Sequence, residues 1–514
     1  MKMIFQDIPK IDVPGTMIDD AVEYGAGTYV YQAEGIDMEH YRSYLAELED
    51  SGFQKHVDND KGLHGVFYNV VFRKDDRILS VLYIQSLKRV YITVSESLLE
   101  KEWNAKDVFE SVPDMDVASA TKSEAVDYGA GNYVVTIEGT SKEEYLFYLT
   151  KLEAYGFMKY ADNGDGLEEK VYHSIYRKDR LNLSVTYVEK LRKTYLSACF
   201  DLPLSEHLLR PDEYKKESLE HTQTKLHMLE MFWSGNSFVI QLKNGHFIVS
   251  DGGTGHEIGY LFDYLEKLTL VGTKPVIEAW FISHAHIDHS GVLRMIAQQP
   301  KYADRVYVEG IYYNEPNSSV IGLDPSARAE VALIREATRH LKTTTGLTPE
   351  VYRPQTGQRY YFSDITVDII LGQEQLPFDN YSGDFNDSST WCMFTIEGQK
   401  CLLAGDGDKG GMKFVMEAYD RDFMKLDLFM VLHHGHNTRD MFTDYCETKT
   451  VLLTRKGDVP AYRKKENNHL KEVSKEWFSW NEGTRVFTFP YTLGTSELLP
   501  HFEWIYHKGQ ERPN

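Results

Sequence analysis

The string Phe281-Ile282-Ser283-His284-Ala285-His286-Ile287-Asp288-His289-Ser290-Gly291 sets three imidazoles and a carboxylate close together, directly after the apolar run Val276 to Ile282. If Pro275 to Ser283 is a buried strand, His284 and His286 leave it on the same side. Asp288 and His289 can then turn back before a helix that begins near Ser290. Four ligand-competent side chains converge on one small volume. Two imidazoles, with a harder Asp and His pair beside them, predict two metal ions rather than one. A chance surface cluster would not sit between a buried strand and a glycine-started helix.

At 514 residues the chain is too long for one core and fits two or three domains. Its net charge of −22 favours solubility and works against prolonged contact with a polyanion, so a small-molecule substrate is expected and nucleic acid is not. Cys199, Cys392, Cys401 and Cys446 show no paired spacing and read as reduced, buried thiols. The opening segment has no apolar core of a signal peptide, and no stretch has the length to cross a bilayer. A cytoplasmic protein without membrane attachment is expected.

The first two hundred residues contain a duplication at a constant offset of 104. Tyr24-Gly25-Ala26-Gly27 returns as Tyr128-Gly129-Ala130-Gly131. Tyr41, Tyr44, Leu45, Leu48, Gly52 and Phe53 return as Tyr145, Tyr148, Leu149, Leu152, Gly156 and Phe157, and Arg73-Lys74-Asp75 returns as Arg177-Lys178-Asp179. Such a long colinear match marks two copies of one folded unit. Each copy reads as a strand, a helix, then antiparallel strands. Ser141 and Glu144 form a capping box, Asp37 caps the other helix, and alternation after each helix suits a half-exposed sheet. These are small α+β domains, placed at 15–100 and 115–205. Their many tyrosines suit strand faces, and neither copy holds a metal or acid-base constellation. Substrate gating, partner binding or assembly into a homo-oligomer is expected of them.

A charged stretch at 206–223 reads as a linker, and a second pattern fills 224–510. Phe238 to Leu242 and His246 to Ser250 make a hairpin around Lys243-Asn244-Gly245, ending at Asp251-Gly252-Gly253. A helix from Ile258 to Leu268 precedes the strand that carries the His cluster. Strands and helices alternate to the end, predicting an α/β domain.

Asp251-Gly252-Gly253, His284-x-His286-x-Asp288-His289, Leu402-Leu403-Ala404-Gly405-Asp406 and His433-His434-Gly435 resemble, in order, the motifs of the metallo-β-lactamase-fold hydrolases. The resemblance spans roughly Leu226 to Trp504 and implies an αββα sandwich. Asn386-Asp387-Ser388-Ser389, followed by the Gly405-Asp406 strand and His433-His434-Gly435, is similar to the branch of the ComEC C-terminal domain and the phosphorylcholine esterases. Asn467-Asn468-His469 resembles a further polar loop of that branch.

His284 and His286 would hold one metal, Asp288 and His289 the other, and Asp406 would bridge them. His434 would complete a coordination sphere, with His433 behind it if strand alternation continues. Asp251 would fix the tautomer of a ligand imidazole. Zinc fits the donor set, and manganese or iron would also fit. Many members of the superfamily supply another histidine between the main motif and the bridging Asp, but only His340 lies there, in a helix from Ala327 to Leu341. Asn386 or Asp387 is the candidate replacement. Asp406 stands where several antibiotic-hydrolysing classes carry Cys, which argues against that activity.

Two metals lower the pKa of a bridging water and stabilise attacking and leaving oxygens. A dinuclear hydrolase using a bridging hydroxide is expected, with Asp288 accepting the released proton; His436 and His469 read either as substrate-facing groups or as ordinary polar loop residues. A small phosphoester or phosphodiester leads as substrate. A carboxylic ester, lactone or thioester is the alternative, and a ligand sensor without turnover is a third reading. Lys409, Arg455 and Arg463 could bind a phosphate, with solvated charge as the default reading.

Overall fold

The computed structural model describes residues 5–501 except 6, 12, 15–16, 19–20, 26–27, 64–66, 76, 97–104, 130, 211–222, 232–234, 317–326, 376–384, 438 and 456–463. The chain forms two compact units. One comprises Met1–Glu102 with Pro316–Glu336 and Phe378–Phe385, and the other comprises Trp103–Glu315, Ala337–Pro377 and Asn386–Asn514. Most of the stretch 206–223 and the end of 224–510 lie outside the described residues.

In the first unit, a sheet orders the strands Thr28–Glu34, Arg89–Glu96, Arg77–Ile84, Phe67–Lys74 and Gln54–Leu63. The helix Met38–Asp50 crosses it, with its N-terminus capped by Asp37. In the second unit, Tyr133–Glu138, Lys193–Phe200, Leu181–Val188, Val171–Lys178 and Met158–Asp162 follow the same order. The helix Lys142–Ala154 starts in a capping box of Ser141 and Glu144. Each helix lays a tyrosine on two strand tyrosines. Tyr41 stacks on Tyr83 at 5.0 Å between ring centroids, and Tyr145 stacks on Tyr187 at 5.5 Å, with Tyr68 and Tyr172 beside them. These rings are core packing between helix and sheet.

The second unit continues into two larger sheets. A nine-stranded sheet places Val276–Ile282 between Phe247–Asp251 and Gly310–Tyr313, and a seven-stranded sheet runs from Arg359–Phe362 through Gln399–Leu403 to Glu476–Ser479. Their inner faces meet through aromatic side chains. Phe281 lies 5.9 Å from Phe394 and 6.2 Å from Tyr360, and Tyr312 lies 5.1 Å from Tyr360. Because strand side chains alternate, Trp280 and Trp391 face outward. There Trp280 meets Phe262 of the helix Ile258–Leu268, and Trp391 meets Phe442 of the helix Asp440–Cys446. The layers are helix, sheet, sheet, helix, in a mixed α/β arrangement. Among the described residues no helix is long and apolar enough to cross a membrane, and all four cysteines are buried thiols.

Residues 103–205 share their compact unit with these sheets. Buried Arg353 donates to the carbonyls of Gly129 (3.0 Å) and Tyr128. Asn163 Nδ2 reaches Gly357 O at 2.9 Å, and Gln355 Nε2 reaches Ser197 Oγ at 2.7 Å.

Candidate metal centre

The strand Val276–Ile282 ends one residue before Ser283, and the following helix, Ile287–Gln298, begins earlier than the sequence pattern placed it. His286 is its N-cap residue, so Asp288 and His289 lie in the first helical turn rather than in a returning loop. Ser290 Oγ donates back to Ala285 O at 2.8 Å and fixes that entry. Gly291 allows the helix to pack on the turn after Asp251. A Cβ there would sit 2.6 Å from Gly255 N and 2.7 Å from Thr254 Cα.

Asp251 closes the neighbouring strand with φ at +58°, a conformation costing a non-glycine residue about 1–2 kcal/mol. Its carboxylate organises the site. Oδ1 accepts from Ser283 N at 2.8 Å, and Oδ2 accepts from Ser283 Oγ at 3.0 Å and lies 2.9 Å from His289 Nδ1. A carboxylate only accepts, so His289 carries a proton on Nδ1 and turns Nε2 toward the centre.

Asp406 arrives from the strand Gln399–Leu403 through Gly405, whose φ is +53° and whose absent Cβ would lie 2.6 Å from Ser283 Oγ. Only glycine permits that approach. Ser389 Oγ accepts from Asp406 N at 3.2 Å and lies 3.4 Å from His284 Nδ1.

The strand Leu428–Met430 stops before the two histidines, so strand alternation does not separate them. His433 and His434 both take left-handed backbone angles, with φ of 49° and 50°. Their rings reach different oxygens of one carboxylate. His433 Nε2 lies 3.5 Å from Asp406 Oδ2, and His434 Nε2 lies 3.4 Å from Oδ1 and 3.3 Å from Asp288 Oδ2. His434 Nδ1 donates to Thr454 O at 2.9 Å, which again leaves Nε2 facing inward.

Two groups of potential ligands result: His284, His286 and Asp406, and Asp288, His289 and His434. His289 Nε2 approaches Asp406 Oδ1 to 3.1 Å. Yet His289 Nε2, His434 Nε2 and Asp406 Oδ1 are all buried without a hydrogen-bond partner. Inward lone pairs that lack a donor fit a divalent cation.

The electrostatics agree with that chemistry. Burial holds His284 neutral, with its pKa well below the ordinary imidazole value, aided by His289 and His286. Burial also disfavours charge on His289, but Asp406, Asp251 and Asp288 outweigh it and raise its pKa well above the usual range. Burial raises Asp406, yet His289 and His434 pull its pKa well below the carboxylate norm. Asp288 is lowered for related reasons, with burial opposed by His289 and His434. A cation at the centre would supply the positive charge that His289 otherwise supplies.

Side chains of His284, His289, Asp406 and His434 are between 0% and 5% exposed, whereas Asp288 is 23% and His433 29% exposed. The open edge of the centre is therefore at Asp288 and His433.

Other candidates fall elsewhere. His469 sits on the helix Lys464–Val473, and its Nε2 lies 2.7 Å from Asp444, which raises its pKa; it is outside both ligand groups. Asn467, two residues earlier and so about 200° around the helix, donates to Gly435 O at 2.9 Å and supports the histidine turn. The polar loop expected at 467–469 is a helix, and only its buried face serves the site. His340 ends the helix Ala327–His340 and joins neither group. Asn386 is buried in the turn Phe385–Ser388, where its carbonyl accepts from Ser389 N at 3.0 Å. The side chain of Asp387 and all of Arg463 lie outside the described residues. Ser283, Thr454 and Asn437, whose Nδ2 lies 3.1 Å from His433 Nδ1, were not legible as functional. Ser283 is adjacent to the histidines, whereas nothing in the sequence marks Thr454.

Residues 231–459 match the family model of the metallo-beta-lactamase superfamily, whose members are generally hydrolases. No match to the curated proteins is found. The matched segment contains both potential ligand groups, and together they support a metal-dependent hydrolase domain in this part of the chain.

Proposed function

We propose that the chain hydrolyses a small phosphoester or phosphodiester with two divalent ions, zinc by the nature of the donors. The observation that carries this reading is the convergence of partnerless His289 Nε2, His434 Nε2 and Asp406 Oδ1 beside the second group, His284 and His286. Asp406, with Oδ2 near His284 and His433 and Oδ1 near His289 and His434, would help to hold the ions. Such a pair of ions activates water and stabilises charge on the attacking and leaving oxygens. Asp251 and Thr454 hold two ligand imidazoles in the tautomer that presents Nε2. Asp288, at the open edge, would accept the proton released from water. The order of Asn386-Asp387-Ser388-Ser389, Gly405-Asp406 and His433-His434-Gly435, similar to the phosphorylcholine esterase branch, supports phosphorus over carbon as the electrophile.

The test pairs metal analysis of reconstituted protein with turnover of phosphodiester, phosphomonoester, lactone and carboxylic ester substrates, for wild type and Asp406→Ala. Two bound ions and phosphoester turnover lost in the variant are expected. Turnover confined to lactones or carboxylic esters would reassign the substrate. Fewer than one ion per wild-type chain, with the variant alike in every assay, would end the hydrolase reading.

A further inference from the structure

Arg455 follows the strand Thr450–Leu453, whose end also supplies the Thr454 carbonyl that orients His434. Its default reading as solvated charge does not hold. The residue is half-buried, and its Nε is buried without a hydrogen-bond partner. Its carbonyl accepts from Ser479 Oγ at 3.0 Å, which fixes the main chain. Nη1 donates to His436 Nε2 at 2.8 Å; because a guanidinium cannot accept, His436 offers a lone pair there. The ring of His436 lies 5.0 Å from that of His433, which in turn reaches Asp406 Oδ2 at 3.5 Å. Arg455 thus stands behind the open edge of the metal centre.

Several arginines of this acidic chain find carboxylates: Arg305 binds Asp263 and Glu266, Arg359 binds Asp368, and Arg485 binds Glu482. Buried Arg353 is instead answered by two carbonyls. Among the described residues Arg455 has no carboxylate partner, and its one side-chain bond is to an imidazole. A half-buried guanidinium is costly to leave uncompensated. A planar fork beside a hydrolytic centre is suited to two oxygens of a phosphoryl group.

We propose that Arg455 binds the phosphoryl oxygens of the substrate, with His436 holding the guanidinium in place, so that the site selects an anionic phosphoester over a neutral ester. This assignment rests on the hydrolase reading for its substrate but makes a separate claim about an anion subsite.

Calorimetric titration with inorganic phosphate separates the two. Wild type, Arg455→Gln and Arg455→Lys are each titrated in metal-loaded and chelator-treated form, and metal content is measured on the same samples. The expected result is unchanged metal content in Arg455→Gln with phosphate affinity weakened at least about tenfold, and partial recovery in Arg455→Lys. Equal phosphate affinity in wild type and Arg455→Gln, or no binding by wild type in either form, would overturn the proposal. Loss of folding in Arg455→Gln would be seen by circular dichroism, and Arg455→Lys then decides: its metal content should be unchanged and its affinity reduced. Absence of metal from every protein would instead count against the hydrolase reading, while the chelated titrations still judge Arg455.

Discussion

Two regions of the second unit are rich in buried polar side chains, and they are built on opposite principles. Where residues 103–205 meet the two large sheets, donors face acceptors: Arg353 on the Tyr128 and Gly129 carbonyls, Asn163 on Gly357 O, Gln355 on Ser197 Oγ, and Ser197 on Asn132 Oδ1. At the metal centre, atoms able to offer lone pairs converge instead: His289 Nε2 lies 3.1 Å and His434 Nε2 3.4 Å from Asp406 Oδ1. Buried polarity alone therefore marks no function. The sign of the converging atoms does, because paired groups complete a core and unpaired lone pairs require a cation.

The contrast is sharpest if each region can be broken without the other. Asp406→Ala should lower metal-dependent turnover by at least about a hundredfold and bring bound metal below two ions per chain, read by metal analysis. Retention of both ions would remove the bridging role. Arg353→Ala should do the reverse: about 2–3 kcal/mol of stability lost in urea unfolding, as two buried carbonyls lose their donor, with metal content per folded chain unchanged. A stability loss under about 0.5 kcal/mol would make that joint superficial.

Ser283→Ala tests the support beneath the ligands. It should weaken metal affinity by about 10- to 100-fold, measured by competition with a chelating dye, because Ser283 donates to Asp251 and lies 3.1 Å from His284 Nδ1. Wild-type affinity in that variant would leave Asp251 as the sole organiser. Acid should act on the centre in the same direction. His289 has a raised pKa without metal, so protons compete with the ion and apparent affinity falls as pH is lowered. Calorimetry in buffers of different ionisation enthalpy should show proton release on metal uptake; no buffer dependence would contradict the protonated His289.

The smallest effect is expected on the surface of the duplicated elements. At the offset of 104, Arg42 and Ser43 correspond to Leu146 and Phe147, which are 48% and 71% exposed. Leu146→Arg with Phe147→Ser should change unfolding free energy by no more than about 0.5 kcal/mol. A larger loss would show that these side chains are packed in solution.

Much of this molecule is written in local pattern. The helix Ile258–Leu268, the hairpin before Asp251 and the strand Val276–Ile282 follow from periodicity and turn residues, because each depends on neighbours in the chain. The approach of Asp251, Asp406 and His434 to the His cluster could be anticipated only from their order in a resembling family. The roles of His433, Arg455 and His469 could not be read from spacing, since each depends on a turn or helix face set by distant packing. His469 pairs with Asp444, while Asn467, on the same helix, takes the buried face.

The sequence by itself determined the ligand types, the close spacing of His284, His286, Asp288 and His289, and the repeated Tyr41 and Tyr145 helices. These are properties of contiguous residues and of elements that fold on local preference. Tertiary structure decided which lone pairs converge. The Gly405 approach to Ser283, the left-handed turn at His433 and His434, and the Thr454 carbonyl bring together atoms more than a hundred residues apart. There His289 Nε2, His434 Nε2 and Asp406 Oδ1 meet buried and without hydrogen-bond partners, and that shortage is what defines the site.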